Sequence, residues 1–296
     1  MIFKPAPERT RWEGLVAAVW LFLIDSLILA WTMARPTDWL KFVLVVLAVV
    51  AVPVWCYVLY RTWAAFTLEY WVDRNSVTLC WAHVRQVVPI SSIQRIIDGG
   101  VIESSHPRWY HWPLPWVRSA QAEGLPNILL CATRPLNECL LLDTGNTVFA
   151  VSPQWRARFI DQLQESYRMG AALVVKATEP PPLRTRRWLH KHAVGLALLS
   201  IGLVGVLALF GRLMIEFPAL PSLLPFRYDS QGLPDVVRDK NALFIIPAIG
   251  LLTWLTNGLW GVWMAMRKQP TGAYMLWGGA IVVQIFSLLA LNSLLP

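Results

Sequence analysis

The residue types best suited to hydrolytic chemistry gather in one stretch, where Glu103, His106 and His111 follow one another closely. Two imidazoles and a carboxylate can hold a divalent cation and activate a water molecule on it. Their spacing, however, matches no ordered zinc motif, and loop histidines of this kind are more often solvated or hydrogen-bonded. The four cysteines, Cys56, Cys80, Cys131 and Cys139, lack C-x-x-C spacing and read as reduced, structural thiols. No G-x-S-x-G, H-E-x-x-H or P-loop pattern occurs in the chain. The expectation is a protein with no catalytic residues, no metal and no cofactor.

Three other groups of residues suit binding better than catalysis. Trp109, Trp112, Trp116 and Arg118 lie in a long segment between Asp98 and Asn127. Long loops rich in aromatics tend to be functional, and this one suits a headgroup layer or a protein partner. Arg227, Asp229, Asp235 and Lys240 alternate in charge along a second loop, LPSLLPFRYDSQGLPDVVRDK. A solvated connector would explain its polarity but not its proline spacing. Asp25 stands alone inside an apolar run. A carboxylate near a bilayer centre costs about 2.5–3.5 kcal/mol even on insertion scales. Asp25 must therefore lose its charge, face another helix or pair, and a structural role and an ion-pathway role carry equal weight.

The elements that position these residues follow from composition. Of 296 residues, 56% are hydrophobic and 15% charged, whereas a soluble domain carries about 25% charged residues. Five runs reach the ~20 mostly apolar residues needed to span a bilayer: Gly14 to Ala34, Leu40 to Tyr60, Ala193 to Phe217, Ala242 to Met266 and Ala273 to Leu295. The first is longer than a signal-peptide core and continues through Trp31 and Met33 to Arg35, so it reads as a retained span. Within the spans, Asn257 and Gln284 can hydrogen-bond between helices, and Arg212 can pair with Glu216 one turn away.

Basic residues are retained on the cytoplasmic side. Lys4, Arg9, Arg11, Arg61, Arg267 and Lys268 fall on one side if every run spans, as does the run RTRRWLHKH. The N-terminus and the middle of the chain are then cytoplasmic and the C-terminus outside, in an inner or plasma membrane. Arg184, Arg186, Arg187 and Lys191 form a positive-inside anchor that can also touch anionic lipid, at about 1 kcal/mol per residue. The basic residues behind the net charge of +8 are spread over span flanks and the middle of the chain rather than one stripe, and no nucleic-acid motif accompanies them, so no nucleic-acid surface is expected. Trp12, Trp31, Trp39, Trp63 and Trp188 sit near span ends as an interfacial belt.

Between the second and third spans the pattern changes to short segments rich in β-branched and aromatic residues. Strands are predicted at Phe66 to Val72, Val77 to Val84, Val87 to Ile90, Ile93 to Ile97, Ile128 to Thr133, Cys139 to Asp143 and Thr147 to Val151. Turns are predicted at DRNS and at Thr144 to Asn146. Ser152 and Pro153 are expected to cap a helix. Its apolar stripe would be Trp155, Phe159, Leu163 and Tyr167, and Gly170 its stop. Seven antiparallel strands closed by one amphipathic helix would make a barrel without free edges.

The runs VDRNSVTLCWAHVRQVVPISSIQRI and LLLDTGNTVFAVSPQWRARFIDQL resemble the bacterial pleckstrin-homology (PH) domain family in its membrane-attached form, over about Phe66 to Arg168. The resemblance implies a seven-stranded barrel with a C-terminal helix, used for assembly or interaction, and does not imply phosphoinositide binding. A second resemblance covers about Leu196 to Leu289. It is to the membrane segment that begins proteins of the sporulation-delaying-toxin immunity type, and it is carried by Leu220, Pro221, Pro225, Tyr228, Gly232, Pro234, Asp235 and Lys240. Arg227 stands where that family has histidine and Asp229 where it has asparagine.

The expected organisation is a two-span hairpin over 1–62, a PH-like domain over 63–171, a basic Pro-rich linker over 172–192 and a three-span unit over 193–296. The fold class is a membrane protein of α-helical spans plus a β-rich PH-like barrel. The expected function is non-catalytic assembly, scaffolding or sensing, with the lipid bilayer and a homo-oligomer as partners. The alternative is a transporter or immunity-type protein acting on a peptide or envelope ligand through the spans and the loop 218–241.

Overall fold

A computed structural model describes residues 1–101, 118–120, 126–170, 172–178, 191–228, 231 and 234–295. The chain divides into two units, Met1–Ser26 with Val50–Thr185, and Leu27–Val49 with Arg186–Pro296. The six longer helices among the described residues are α1 (Thr10–Ala34), α2 (Trp39–Phe66), α3 (Arg156–Met169), α4 (Ala193–Glu216), α5 (Ile245–Met266) and α6 (Pro270–Leu294). All but α3 are long and apolar enough to cross a membrane, and they coincide with the five runs read from the sequence. Pro270 opens α6, where a missing N–H costs nothing. Pro53 lies inside α2 and removes the donor that would reach the carbonyl of Val49.

The first unit contains two sheets. One orders β1 (Ile2–Phe3), β2 (Glu69–Val72), β3 (Ser76–Trp81) and β4 (Val84–Pro89) as 1-2-3-4. The other contains β5 (Arg95–Asp98), β6 (Arg118–Ala120), β7 (Ile128–Cys131), β8 (Leu140–Asp143) and β9 (Val148–Val151) in the order 5-8-9-7-6. Tyr70, Leu79 and Val88 of the first sheet and Leu142, Phe149 and Val151 of the second meet in one core, which α3 completes with Phe159 and Leu163. The Phe159 ring is fully buried, edge-on to Phe3 at 5.2 Å, a burial that stabilises by about 1.5–3 kcal/mol.

The expected closed barrel of seven antiparallel strands is therefore corrected in two respects. The sheets face each other as separate ladders, because the chain leaves β4 through Pro89 and a 3₁₀ turn at Ile90–Ser92 before β5 begins. Proline cannot donate to a continuing ladder. In addition, β9 inserts between β8 and β7 and runs parallel to β7. Strands β7, β8 and β9 are buried at every position, and continuous apolar runs suit central strands covered on both faces. Their far side forms a second cluster of Leu130, Leu136, Leu141 and Ala150.

β1 had no counterpart among the strands predicted from the sequence. Beyond it, Ala6 N–H donates to the Ser152 carbonyl at 2.8 Å and Gln154 N–H to the Lys4 carbonyl at 3.0 Å. The Thr133 hydroxyl donates to the Ala6 carbonyl at 2.7 Å. Ser152 is thus committed to these strands and does not cap the helix; Trp155 precedes α3 without a side-chain cap. The turn glycines behave as expected, with Gly145 at φ 80° between β8 and β9 and Gly170 at φ 69° after α3.

In the second unit α4, α5 and α6 pack through glycine notches. The Trp277 indole is fully buried against Gly195 and Gly261, and its N–H points at the Gly258 carbonyl at 3.4 Å. The Gln284 amide donates to the Gly250 carbonyl at 2.8 Å, the interhelical bond anticipated for it. The loop after α4 is more than a solvated connector: β10 (Leu223–Tyr228) and β11 (Pro234–Asp239) form an antiparallel hairpin. Leu220 and Leu224 pack with Leu213, Phe217 and Leu243 in its apolar base.

Candidate functional site

An exposed sheet margin tends to recruit another chain unless something covers it. In the first unit the chain covers two margins itself. Outside β1, the N-terminal residues continue along Ser152 and Gln154 as described above. Outside β4, Thr178 donates its N–H to the Val87 carbonyl at 3.3 Å and accepts the Val87 N–H on its hydroxyl at 2.7 Å, while the Gln86 amide reaches the Thr178 carbonyl. β6 ends the other sheet on one side. β5 ends it on the opposite side, paired among the described residues to β8 alone.

Beside β5 runs a groove of about 490 Å³. Ile93, Arg95 and Ile96 form one wall and Leu163, Tyr167 and Arg168 the other. Ile96 is 38% exposed and Tyr167 65% exposed, so both present apolar surface to an incoming group. The helix was expected to bury Trp155 and Tyr167 together with Phe159 and Leu163. Only the middle pair is buried, and Trp155 is 66% exposed. Four residues turn an α-helix through about 400°, so a stripe of that period drifts about 40° per step and its ends leave the core.

Two ion pairs join the elements around the groove. Arg156, the first residue of α3, holds Asp98 at the end of β5 at 2.7 Å. The Arg156 hydrogen bond keeps the Asp98 carboxyl below the usual carboxylate range, helped by the Gly100 N–H. Across the sheet, Arg95 Nε donates to Asp143 Oδ2 at 2.7 Å. Burial of Asp143 opposes its ionisation, but the Gly145 N–H and the Arg95 guanidinium outweigh it and hold that carboxyl low as well. Behind this wall Tyr70 donates to the Cys131 carbonyl at 2.8 Å and accepts the Ser152 N–H at 3.2 Å. Burial raises the Tyr70 and Cys131 pKa values, so both stay protonated, which suits structural groups.

None of the described site candidates singled out from the sequence lines this groove. Trp109, Trp112, Trp116 and Asp229 lie outside the described residues, as do Glu103, His106, His111, Arg184, Arg186 and Arg187. Arg118 opens β6 opposite Leu130. Arg227 stands in β10 opposite Val236, and Asp235 is exposed on β11. Lys191 lies just before α4. Lys240 has a structural role, since its ammonium donates to the Phe217 and Leu220 carbonyls at 3.3 Å and lies 4.6 Å from the Phe217 ring. It thereby satisfies carbonyls that the end of α4 leaves open. One Asp25 oxygen is buried without a hydrogen-bond partner among the described residues.

In the sequence the groove leaves only a distributed signal. Ile93 and Arg95 looked like an ordinary short strand, and Tyr167 like part of a buried stripe. The available clue was the excess length of that stripe over what one helical face can bury.

Residues 68–167, from the approach to β2 into the last turns of α3, match the family model described as Bacterial PH domain. No curated protein and no solved structure matches the chain.

Proposed function

From a bacterial PH-domain match set among five membrane-length helices, we propose that this chain is a non-catalytic membrane protein. Its PH-like domain serves assembly, scaffolding or sensing by taking an extended polypeptide segment beside β5. The observation that carries this reading is the β5 margin, which among the described residues pairs with β8 alone, next to a groove that exposes Ile96 and Tyr167. A sheet margin offers main-chain donors and acceptors in a row, which an extended chain satisfies and a lipid or small molecule does not. Alternate side chains of that segment would enter the space between Ile96 and Tyr167. Arg168 adds positive charge to one wall, while Arg95 on the other is already paired with Asp143, which favours an acidic residue at one end of the segment. The basic flanks of the helices orient the domain toward the cytoplasm in a cell membrane.

The test is selection of random displayed peptides on the full chain in nanodiscs, with Ile96→Pro as the counter-target. Proline blocks strand addition at an exposed margin position. Peptides of alternating apolar pattern should be retained by the native chain and lost by the variant. No enrichment, or equal retention by both, would overturn strand addition.

A second reading draws on the β10–β11 hairpin. Its apolar base and the Lys240 carbonyl clamp make it a built element, which favours a role in contacting an envelope ligand or peptide. Alanine at Arg227 and Asp235 should then abolish a protective or transport phenotype while protein levels stay normal. An unchanged phenotype in both would remove this reading.

A further inference from the structure

A second concave site lies within the second unit, lined almost entirely by membrane-length helices. It is a groove of about 840 Å³. Phe42 and Val46 of α2, Val204 and Ala208 of α4, and Leu288 of α6 line its apolar length, and Arg212 and Asn292 supply the polar groups. From Val204 to Ile215 the α4 wall rises about 16 Å at ~1.5 Å per residue. That is close to half of a ~30 Å hydrocarbon core, the depth of one leaflet. The polar groups are confined to one end: Arg212 is four residues from the end of α4 and Asn292 two from the end of α6.

Arg212 is also half of a zwitterion. Its guanidinium lies 3.2 Å from the Glu216 carboxylate, and neither side chain is buried. An anion alone would meet this pair at no net charge. A headgroup carrying a phosphate and an ammonium can instead place the phosphate on Arg212 and Asn292 and the ammonium on Glu216. We infer that this groove seats one acyl chain of a zwitterionic aminophospholipid, with its headgroup on the Arg212–Glu216 pair. The inference rests on the reading of these helices as membrane spans and is independent of the β5 groove.

The experiment uses the full chain in nanodiscs containing equal ethanolamine and glycerol phospholipids, each in turn carrying a diazirine on its acyl chain. Labelled sites are mapped by mass spectrometry. Ethanolamine-lipid labelling should concentrate on residues 42–46 and 204–215 and exceed that on the exposed α5 side chains Leu252, Leu255 and Leu259. Ala208→Trp, which fills the groove, should remove the excess. Glu216→Gln, at the rim, should lower the ethanolamine preference by up to about fivefold, the worth of one exposed ion pair. Labelling spread evenly over all helices, or a preference for glycerol phospholipid, would overturn the assignment even if Ala208→Trp does not fold. No labelling on any helix would overturn the membrane reading and this inference together.

Discussion

Asp143 is the residue on which the β8–β9 turn and the β5 groove meet. Its side chain is nearly buried, and it accepts from the Gly145 N–H at 2.9 Å and from Arg95 at 2.7 Å. One contact holds the β8–β9 turn and the other orients a wall of the β5 groove. Because its folded pKa lies below the ordinary 3.8, Asp143 adds stability that is fully present above that value. The contribution is lost as pH falls through the lower, folded value. Asp143→Asn should therefore cost about 1.5–3 kcal/mol at neutral pH, the range for hydrogen bonds to a charged group. Unfolding of the full chain followed by near-UV circular dichroism should show the gap between native and variant closing below pH ~4. A gap that is constant with pH would assign the loss to packing.

At the scale of elements, the α4–α6 bundle depends on shape more than on polarity. A Cβ at Gly261 would overlap the Trp277 indole, which is fully buried and flanked on its other side by Gly195. Gly261→Ala should cost about 1–3 kcal/mol through overpacking. Gln284→Leu removes one interhelical hydrogen bond, to the Gly250 carbonyl. Such bonds average about 0.6 kcal/mol in membrane helices and reach ~2 at most. Thermal unfolding in detergent should rank the glycine variant as the more damaged. The reverse order would mean that the indole can move aside and that the amide bond holds the bundle.

For the whole molecule, the PH-like domain is discontinuous in sequence. Residues 1–6 precede α1 yet complete the first sheet and bridge to the second, with Pro5 opposite Pro153. Phe3 is nearly buried against Phe159. Phe3→Ala should cost about 3–5 kcal/mol, as for other buried Phe truncations. A fragment beginning at residue 63 should unfold at a lower temperature than the domain in the full chain. Equal midpoints would show that the N-terminal strand adds nothing. The division into two units also falls between Val49 and Val50, the turn where Pro53 leaves the Val49 carbonyl without its helical donor.

Hydropathy and local chemistry were enough to locate the five membrane-length helices, the apolar strands β7 to β9, and the glycines that end β8 and α3. Each is set within a window of a few residues to one span length, where solvent preference and allowed φ decide the outcome. The two-residue β1 carries no local signal, and its place depends on strand partners some seventy residues away. That β5 is a margin and β9 a centre is likewise decided by which strands are neighbours, and neither follows from a strand's own side chains. The β5 groove exists only because α3 lies beside that margin with Tyr167 rotated out of the core. The lipid groove exists only because α2, α4 and α6 approach without filling the space between them. Both depend on contacts between distant segments, which no local pattern encodes.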